Sequence, residues 1–282
     1  MGAKTIISQR FSCDRSLENT VFNRVQTNSL REYKNTMKEP VLLISGCSHA
    51  SGCEIDGTSD SQYNRDHSFG NILAKQLGRR PINISLSGSS NQGIARTTLE
   101  WYNSCYDPNK IDLMVLVAWS ESTRMEIPTQ RPTRYEEWNQ SSDFLSEISR
   151  NFFRVNFGYK GTHKEEQEMI FRCHNFMVDP MNQIYLETIS ACMVLKMQYF
   201  FKLNSIPYLM CNTMHMFSDD DHLNFYLDMI DQTKYFNMKA ESESFYWKYE
   251  GLGFKNKKAT YWHHDEIPHK LFANELYNFI NK

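Results

Sequence analysis

Four short apolar runs stand out along the chain: VLLIS at 41–45, INISL at 82–86, IDLMVLVAW at 111–119 and IPYLMCN at 206–212. They show little of the strict alternation of a half-wetted strand. They read instead as strands covered on both faces, the habit of parallel sheets. Helical patterns lie between them. SFGNILAKQLG (68–78) puts Phe69, Ile72, Leu73 and Leu77 on one face and stops at Gly78. NQGIARTTLEWYNSCY (91–106) opens on Asn91, a good capping residue. NQIYLETISACMVLKMQYFFKLNS (182–205) is the longest and most apolar helix, and PHKLFANELYNFI (268–280) begins with a proline suited to a first helical turn. Strand and helix in alternation predict a doubly wound α/β sheet with right-handed crossovers.

Three stretches depart from that rhythm. Residues 1–40 are polar and weakly periodic, and read as an N-terminal arm ahead of a domain spanning 41–282. Residues 121–181 are polar, aromatic and irregular, so they read as an insertion over the strand ends. A second insertion is expected at 215–258, with a helical start at DDDHLNFYLDMIDQTKYF. The first insertion carries too many aromatics, Tyr135, Trp138, Phe144 and Phe152 among them, to leave exposed. It is expected to form a lid, with Arg124, Arg131 and Arg134 at its root, and a protein partner is expected to bind through this insertion or through the N-terminal arm if it binds at all.

Composition narrows the class. The 282 residues carry 31 basic and 33 acidic side chains, a net charge of −2, which sets up no strong field for nucleic acid or anionic membrane. No apolar run approaches the ~20 residues of a membrane span, and the first residues lack the apolar core of a secretion signal. Seven scattered cysteines with no CxxC pair argue against a disulfide framework or a zinc knuckle, and point to a reducing cytoplasm. His263, His264, Asp265 and His269, or His49 with Asp56 or Asp60, lack the spacing of known metal motifs, so neither metal nor cofactor is expected.

Ligands of an open parallel sheet bind where loops leave the carboxyl ends of the strands. Three such loops carry polar clusters: Gly46–Gly52, Ser87–Gly93 and Trp119–Glu126. In the first, Ser48 follows the strand at once, where helix N-terminal and backbone N–H groups assist a hydroxyl. Serine after glycine is far more often a turn or cap than a nucleophile. Cys47 beside it reads as packing, and the 218–222 run SDDDH as a helix cap.

A resemblance sharpens the picture. SGCSHASG (45–52) resembles the first block of the SGNH (GDSL-type) hydrolases, with Cys47 in the Asp place, Ser48 matching the nucleophile and Gly52 the closing glycine. NISLSGSSNQGI (83–94) resembles the second block, in which Gly88 takes the place of the oxyanion-hole glycine. YWHHDEIPHKLFANEL (261–276) resembles the last block, where a catalytic histidine precedes the C-terminal helix. The Gly-Cys-Ser-His turn and the WSESTR run (119–124) are more particularly similar to uncharacterised bacteriophage SGNH-like proteins.

The resemblance covers roughly the sheet half of the chain and implies a three-layer α/β/α sandwich with a flavodoxin-like parallel sheet and insertions. It implies a serine esterase or acetyl-esterase acting on a small ester or acylated carbohydrate. Ser48 is then the nucleophile and His263 the base, with His264 and His269 as alternatives. Two blocks depart from the pattern. The third should read Gly-x-Asn-Asp but is Ala118-Trp119-Ser120-Glu121, so Asn91 is expected to join the N–H groups of Ser48 and Gly88 in the oxyanion hole. The last should carry Asp where Thr260 and Tyr261 stand, so either Asp265 orients the ring or a Ser–His dyad acts alone. His49, Ser120 and Arg124 are expected near the substrate. The runner-up is a catalytically degenerate phage-encoded binding or virion-associated protein on the same fold, residing in the host cytoplasm or virion.

Overall fold

The computed structural model describes residues 38–59, 61–128, 152–155, 164–214, 216–218, 221–260 and 262–282. The strands of the main sheet are β1 (Glu39–Gly46), β2 (Arg80–Asn83), β3 (Ile111–Trp119), β6 (Tyr208–Asn212) and β7 (Tyr235–Phe236). Their order is β2-β1-β3-β6-β7 and every pairing is parallel. A separate antiparallel pair, β4 (Met125–Pro128) with β5 (Phe152–Val155), leaves the end of β3.

The long helices are α3 (Phe69–Gln76), α4 (Asn91–Cys105), α5 (Lys164–Val178), α6 (Pro180–Leu203) and α9 (Glu266–Ile280). Shorter ones are α1 (Ser48–Ser51), α2 (Gln62–His67), α7 (Asp221–Leu227) and α8 (Phe245–Gly251). Alternation along β1 explains the layering. Val41 and Leu43 pack with Ile94 and Trp101 of α4 and Val194 and Phe201 of α6. Leu42 and Ile44 face the other way, onto Phe69 and Leu73 of α3, Phe245 of α8 and Phe272 of α9. Both faces are covered, so the strands are apolar throughout and the fold is a three-layer α/β/α sandwich. Truncating one of these buried leucines to alanine costs about 2–5 kcal/mol.

Helix starts follow capping chemistry. Ser68 accepts from the Asn71 N–H to open α3, and Asp179 accepts from Met181 ahead of Pro180 to open α6. At α4 the cap is Ser90, which accepts from the Gly93 N–H, rather than Asn91.

Two expected boundaries shift. Within 215–258 lies the fifth strand of the sheet, with Met210 opposite Tyr235 and Cys211 opposite Phe236, so this stretch completes the core instead of sitting outside it. The arm expected at 1–40 ends sooner, because Glu39 and Pro40 already pair with Ile111 and Asp112. Residues 1–37, 129–151 and 156–163, with Tyr135, Trp138 and Phe144 of the expected lid and with Arg131 and Arg134, lie outside the described residues. Among those described, no helix is long and apolar enough to cross a membrane.

Candidate active site

β1 delivers the chain into the site through Gly46. A Cβ there would stand 2.6 Å from Ala50 Cβ and 2.8 Å from the Ala118 carbonyl oxygen, so only glycine lets the turn fold back against β3. Ser48 then opens α1, buried at the carboxyl end of the strand. The first donors of this turn, Ala50 and Ser51, both bond the Cys47 carbonyl, which leaves the N–H groups of Ser48 and His49 at its open end. Gly52 closes the turn at φ 77°, in the left-handed region glycine favours.

Cys47 is held away from chemistry. Its sulfur lies 3.2 Å from Thr213 Oγ1, and the Thr213 hydroxyl donates to the Trp119 carbonyl at 2.7 Å, so the thiol donates to Thr213. Beyond β2, Leu86 N–H bonds the Gly46 carbonyl at 3.1 Å. The next turn, with Gly88 at φ 74°, therefore emerges beside Cys47 and Ser48.

The three C-terminal histidines separate clearly. His263 Nδ1 lies 2.7 Å from Glu54 Oε2, with only 12% of the imidazole and 4% of the carboxylate side chain exposed. The other Glu54 oxygen accepts from the Thr260 N–H at 3.0 Å. The His263 ring packs 4.9 Å from that of His49, centroid to centroid, which brings it beside the residue next to Ser48. His264 is buried instead, with Nε2 3.1 Å from the Tyr246 carbonyl. His269 points into the core, where its Nδ1 accepts from the Phe69 N–H at 3.2 Å. Burial holds both of these imidazoles below the ordinary histidine range, His269 far below it.

Asp265 does not orient His263. It caps α9, accepting from the Ile267 N–H, a task that points its carboxylate along the helix start. The carboxylate on His263 Nδ1 is that of Glu54, a residue the sequence did not single out. Its backbone sits at φ 63°, a left-handed conformation that costs a non-glycine residue about 1–2 kcal/mol. Bonds from Glu54 N–H to the Thr58 carbonyl and from Asn256 Nδ2 to the Glu54 carbonyl hold it there.

Asn91 is likewise engaged elsewhere. Its Oδ1 accepts from the Ser120 N–H at 2.9 Å, and its Nδ2 donates to the Ser120 carbonyl and to Ser190 Oγ. It is a buried clasp joining α4, the end of β3 and α6, and its amide is not turned to an oxyanion. The Ser120 hydroxyl is fully buried and, among the described residues, has no hydrogen-bond partner.

His49 is buried among Phe245, Tyr246 and His263. Burial, then the neighbouring His263 and Arg124, keep its imidazole neutral, well below the ordinary range. Arg124 itself is only 11% exposed, with Nε 3.4 Å from Glu121 Oε2 and Nη2 3.2 Å from Met214 Sδ. Among the described residues no group of three or more His, Cys, Asp or Glu is arranged to hold a metal ion.

No family model and no curated protein matches the chain. Among solved structures it is similar to a carbohydrate esterase, at 12% identity and a TM-score of 0.39, covering 86% of this chain and 64% of that one. A psychrotrophic esterase from Pseudoalteromonas sp. gives 12% identity and a TM-score of 0.38, covering 86% and 96%. An acetyl xylan esterase from the rumen bacterium Butyrivibrio proteoclasticus gives 11% and 0.37, covering 86% and 63%. The chain thus spans a little under two thirds of the first and third of these proteins. At such scores the likeness adds nothing to what the site's own residues say.

Proposed function

We propose that the protein is a serine ester hydrolase acting on a small ester or an acylated carbohydrate, with Ser48 as nucleophile, His263 as base and Glu54 as the carboxylate that orients it. The observation that carries this reading is the buried 2.7 Å contact between Glu54 and His263, on a ring packed against the neighbour of Ser48. A carboxylate on Nδ1 fixes the tautomer that leaves Nε2 free to accept a proton, and it stabilises the imidazolium that results.

In the reaction Ser48 Oγ attacks the acyl carbon while His263 takes its proton. The carbonyl oxygen becomes an oxyanion, met by the N–H groups of Ser48 and Gly88, each worth about 3–4 kcal/mol. Collapse of the tetrahedral species breaks the bond to the alcohol, which leaves with the proton from His263. Water then attacks the acyl-serine by the same exchange, releasing the acid and restoring Ser48. The test is turnover of p-nitrophenyl acetate by the purified protein, abolished in Ser48→Ala.

One observation favours a second reading, the catalytically degenerate binding or virion-associated protein. Asn91 is held by other bonds, and the third block has no asparagine to replace it. Folded wild-type protein that turns over no p-nitrophenyl ester would establish that reading in place of the first.

A further inference from the structure

His49, the residue after Ser48, is only 3% exposed, and its Nδ1 is buried with no hydrogen-bond partner. Its ring is walled by Phe245 at 5.8 Å, Tyr246 at 5.6 Å and His263 at 4.9 Å, centroid to centroid. A phenylalanine would fill the same slot among these rings without stranding a polar atom. An unpaired buried polar group in a native protein calls for an explanation, and a ligand that completes its bonding is one.

A neutral imidazole carries one proton, on one nitrogen or the other. Stranded N–H groups are the rarer kind in native interiors, so Nδ1 keeps its lone pair and the proton sits on Nε2. Nε2 is not sealed in as Nδ1 is, and among the described residues it too is without a hydrogen bond. A neutral N–H therefore stands open beside Ser48 and against the ring of His263. It can only donate. Burial, with His263 and Arg124 nearby, keeps the ring from taking a second proton, so it serves as neither base nor proton source.

Acyl transfer has one atom that needs such a group. Ser48 Oγ and the leaving oxygen both exchange protons with His263, whereas the carbonyl oxygen gathers negative charge and only accepts. The side-chain amide that should help it is spent, since Asn91 is bonded to Ser120 and Ser190.

We infer that His49 Nε2–H is the third donor to the carbonyl oxygen of the bound ester, joining the two backbone N–H groups. This rests on the hydrolase reading of Ser48, whereas the tautomer and the open N–H of His49 stand apart from it.

Two measurements test the inference. The first is turnover of p-nitrophenyl acetate by wild type, His49→Phe and His49→Gln. Phenylalanine keeps a ring against His263 but removes both nitrogens, whereas glutamine loses the ring and returns an amide donor near the place of Nε2. A donor role predicts kcat about a hundredfold lower in His49→Phe with KM little changed. His49→Gln should stay within about tenfold of wild type. His49→Phe near wild type overturns the inference, since the ring alone would then suffice. So does an equal loss in both variants, because returning the donor would restore nothing. The second measurement needs neither a variant nor turnover. It follows the imidazole nitrogens of labelled wild-type protein by NMR at neutral pH while acetate is added, its carboxylate oxygens standing in for the acyl oxygen. A proton on His49 Nε2, with a resonance that moves saturably with acetate, supports the donor role. A proton on Nδ1, or a His49 signal that acetate leaves unmoved, overturns it. Should wild type turn over no p-nitrophenyl ester, the hydrolase reading falls, and the acetate titration still decides whether His49 donates to a bound acyl oxygen.

Discussion

Glu54 Oε2 lies 2.7 Å from His263 Nδ1, joining the turn after the first strand to the loop before the last helix. The pair spans almost the whole domain in sequence, and it ties the ring to the same turn that carries Ser48. In the proposed hydrolase, the orienting carboxylate would therefore come from the turn that carries Ser48 rather than from the loop of His263. That arrangement distinguishes sharply between two acidic residues.

Glu54→Gln keeps the volume and removes the charge. It is expected to lower kcat on p-nitrophenyl acetate by about a hundredfold or more with little change in KM, in line with loss of the orienting carboxylate in other triads. Asp265→Ala removes only the cap of α9. It should cost about 1 kcal/mol of stability, a few degrees in Tm, and leave kcat within about twofold. Steady-state kinetics and a thermal melt on both variants decide the matter. The opposite pattern would return the orienting role to Asp265.

Asn91→Ala is expected to be a stability variant. It strands the buried Ser120 N–H and carbonyl and leaves Ser190 Oγ without its donor. Each unsatisfied group costs about 1–3 kcal/mol, so urea unfolding should shift strongly while the folded protein keeps the kcat of the proposed hydrolysis within about threefold. A hundredfold loss of kcat at unchanged stability would show instead that the amide serves an oxyanion.

Among the described residues, three buried histidines set an acid limit. In the folded protein His49, His264 and His269 all hold their protons less tightly than free imidazole, mainly through burial. As pH falls below the ordinary histidine value of about 6.5, the unfolded chain takes up protons that the folded one refuses. Stability is thus full above that value and falls below it, by up to about 1.4 kcal/mol per pH unit for each histidine. Urea titrations between pH 7.5 and 5.5 should show the decline, and His269→Gln should make it shallower. A flat profile over that range would mean that these rings are not buried as neutral groups.

How much of this was legible depended on range. The apolar run of β3 matches Ile111–Trp119 residue for residue, because a strand buried on both faces writes itself as continuous apolar sequence. β7 left no such mark: it is two residues long, Tyr235–Phe236, and follows a polar turn. The proposed roles of Ser48 and His263 come from short motifs at each end of the domain. The contact of Glu54 with His263 carries no such motif, since it forms only once the Asn256–Thr260 loop folds onto Glu54 from the far end of the chain. The available signal was an acidic residue in the small, apolar stretch SGCEI (51–55), where a solvated carboxylate has no place. Asn91 misled for a related reason. It looks like a cap, but Ser90 performs that task and frees the amide to clasp Ser120 and Ser190.

The same turn yields a prediction that links fold to chemistry. Gly52 sits at φ 77°, and a Cβ there would stand 2.2 Å from the Asn64 carbonyl oxygen and 2.9 Å from Ile55 Cδ1. Asn64 cannot easily yield. Its Oδ1 accepts from Asp56 N–H at 2.9 Å, its own N–H donates to Ser61 Oγ at 3.1 Å, and its Nδ2 donates to the Thr58 carbonyl at 2.8 Å. Gly52→Ala therefore combines left-handed backbone strain of about 1–2 kcal/mol with an overpacking cost of about 1–3 kcal/mol. Gly78 is the natural control. It has φ 65° but nothing within 4 Å of an added Cβ, so Gly78→Ala should incur the backbone cost alone. Gly52→Ala should also lower kcat, because the displaced turn carries both Ser48 and Glu54, whereas Gly78→Ala should leave kcat unchanged. Urea unfolding and p-nitrophenyl acetate turnover on the two variants test this together. Equal destabilisation with equal turnover would mean that the turn accommodates the methyl group, and that its geometry does not govern the site.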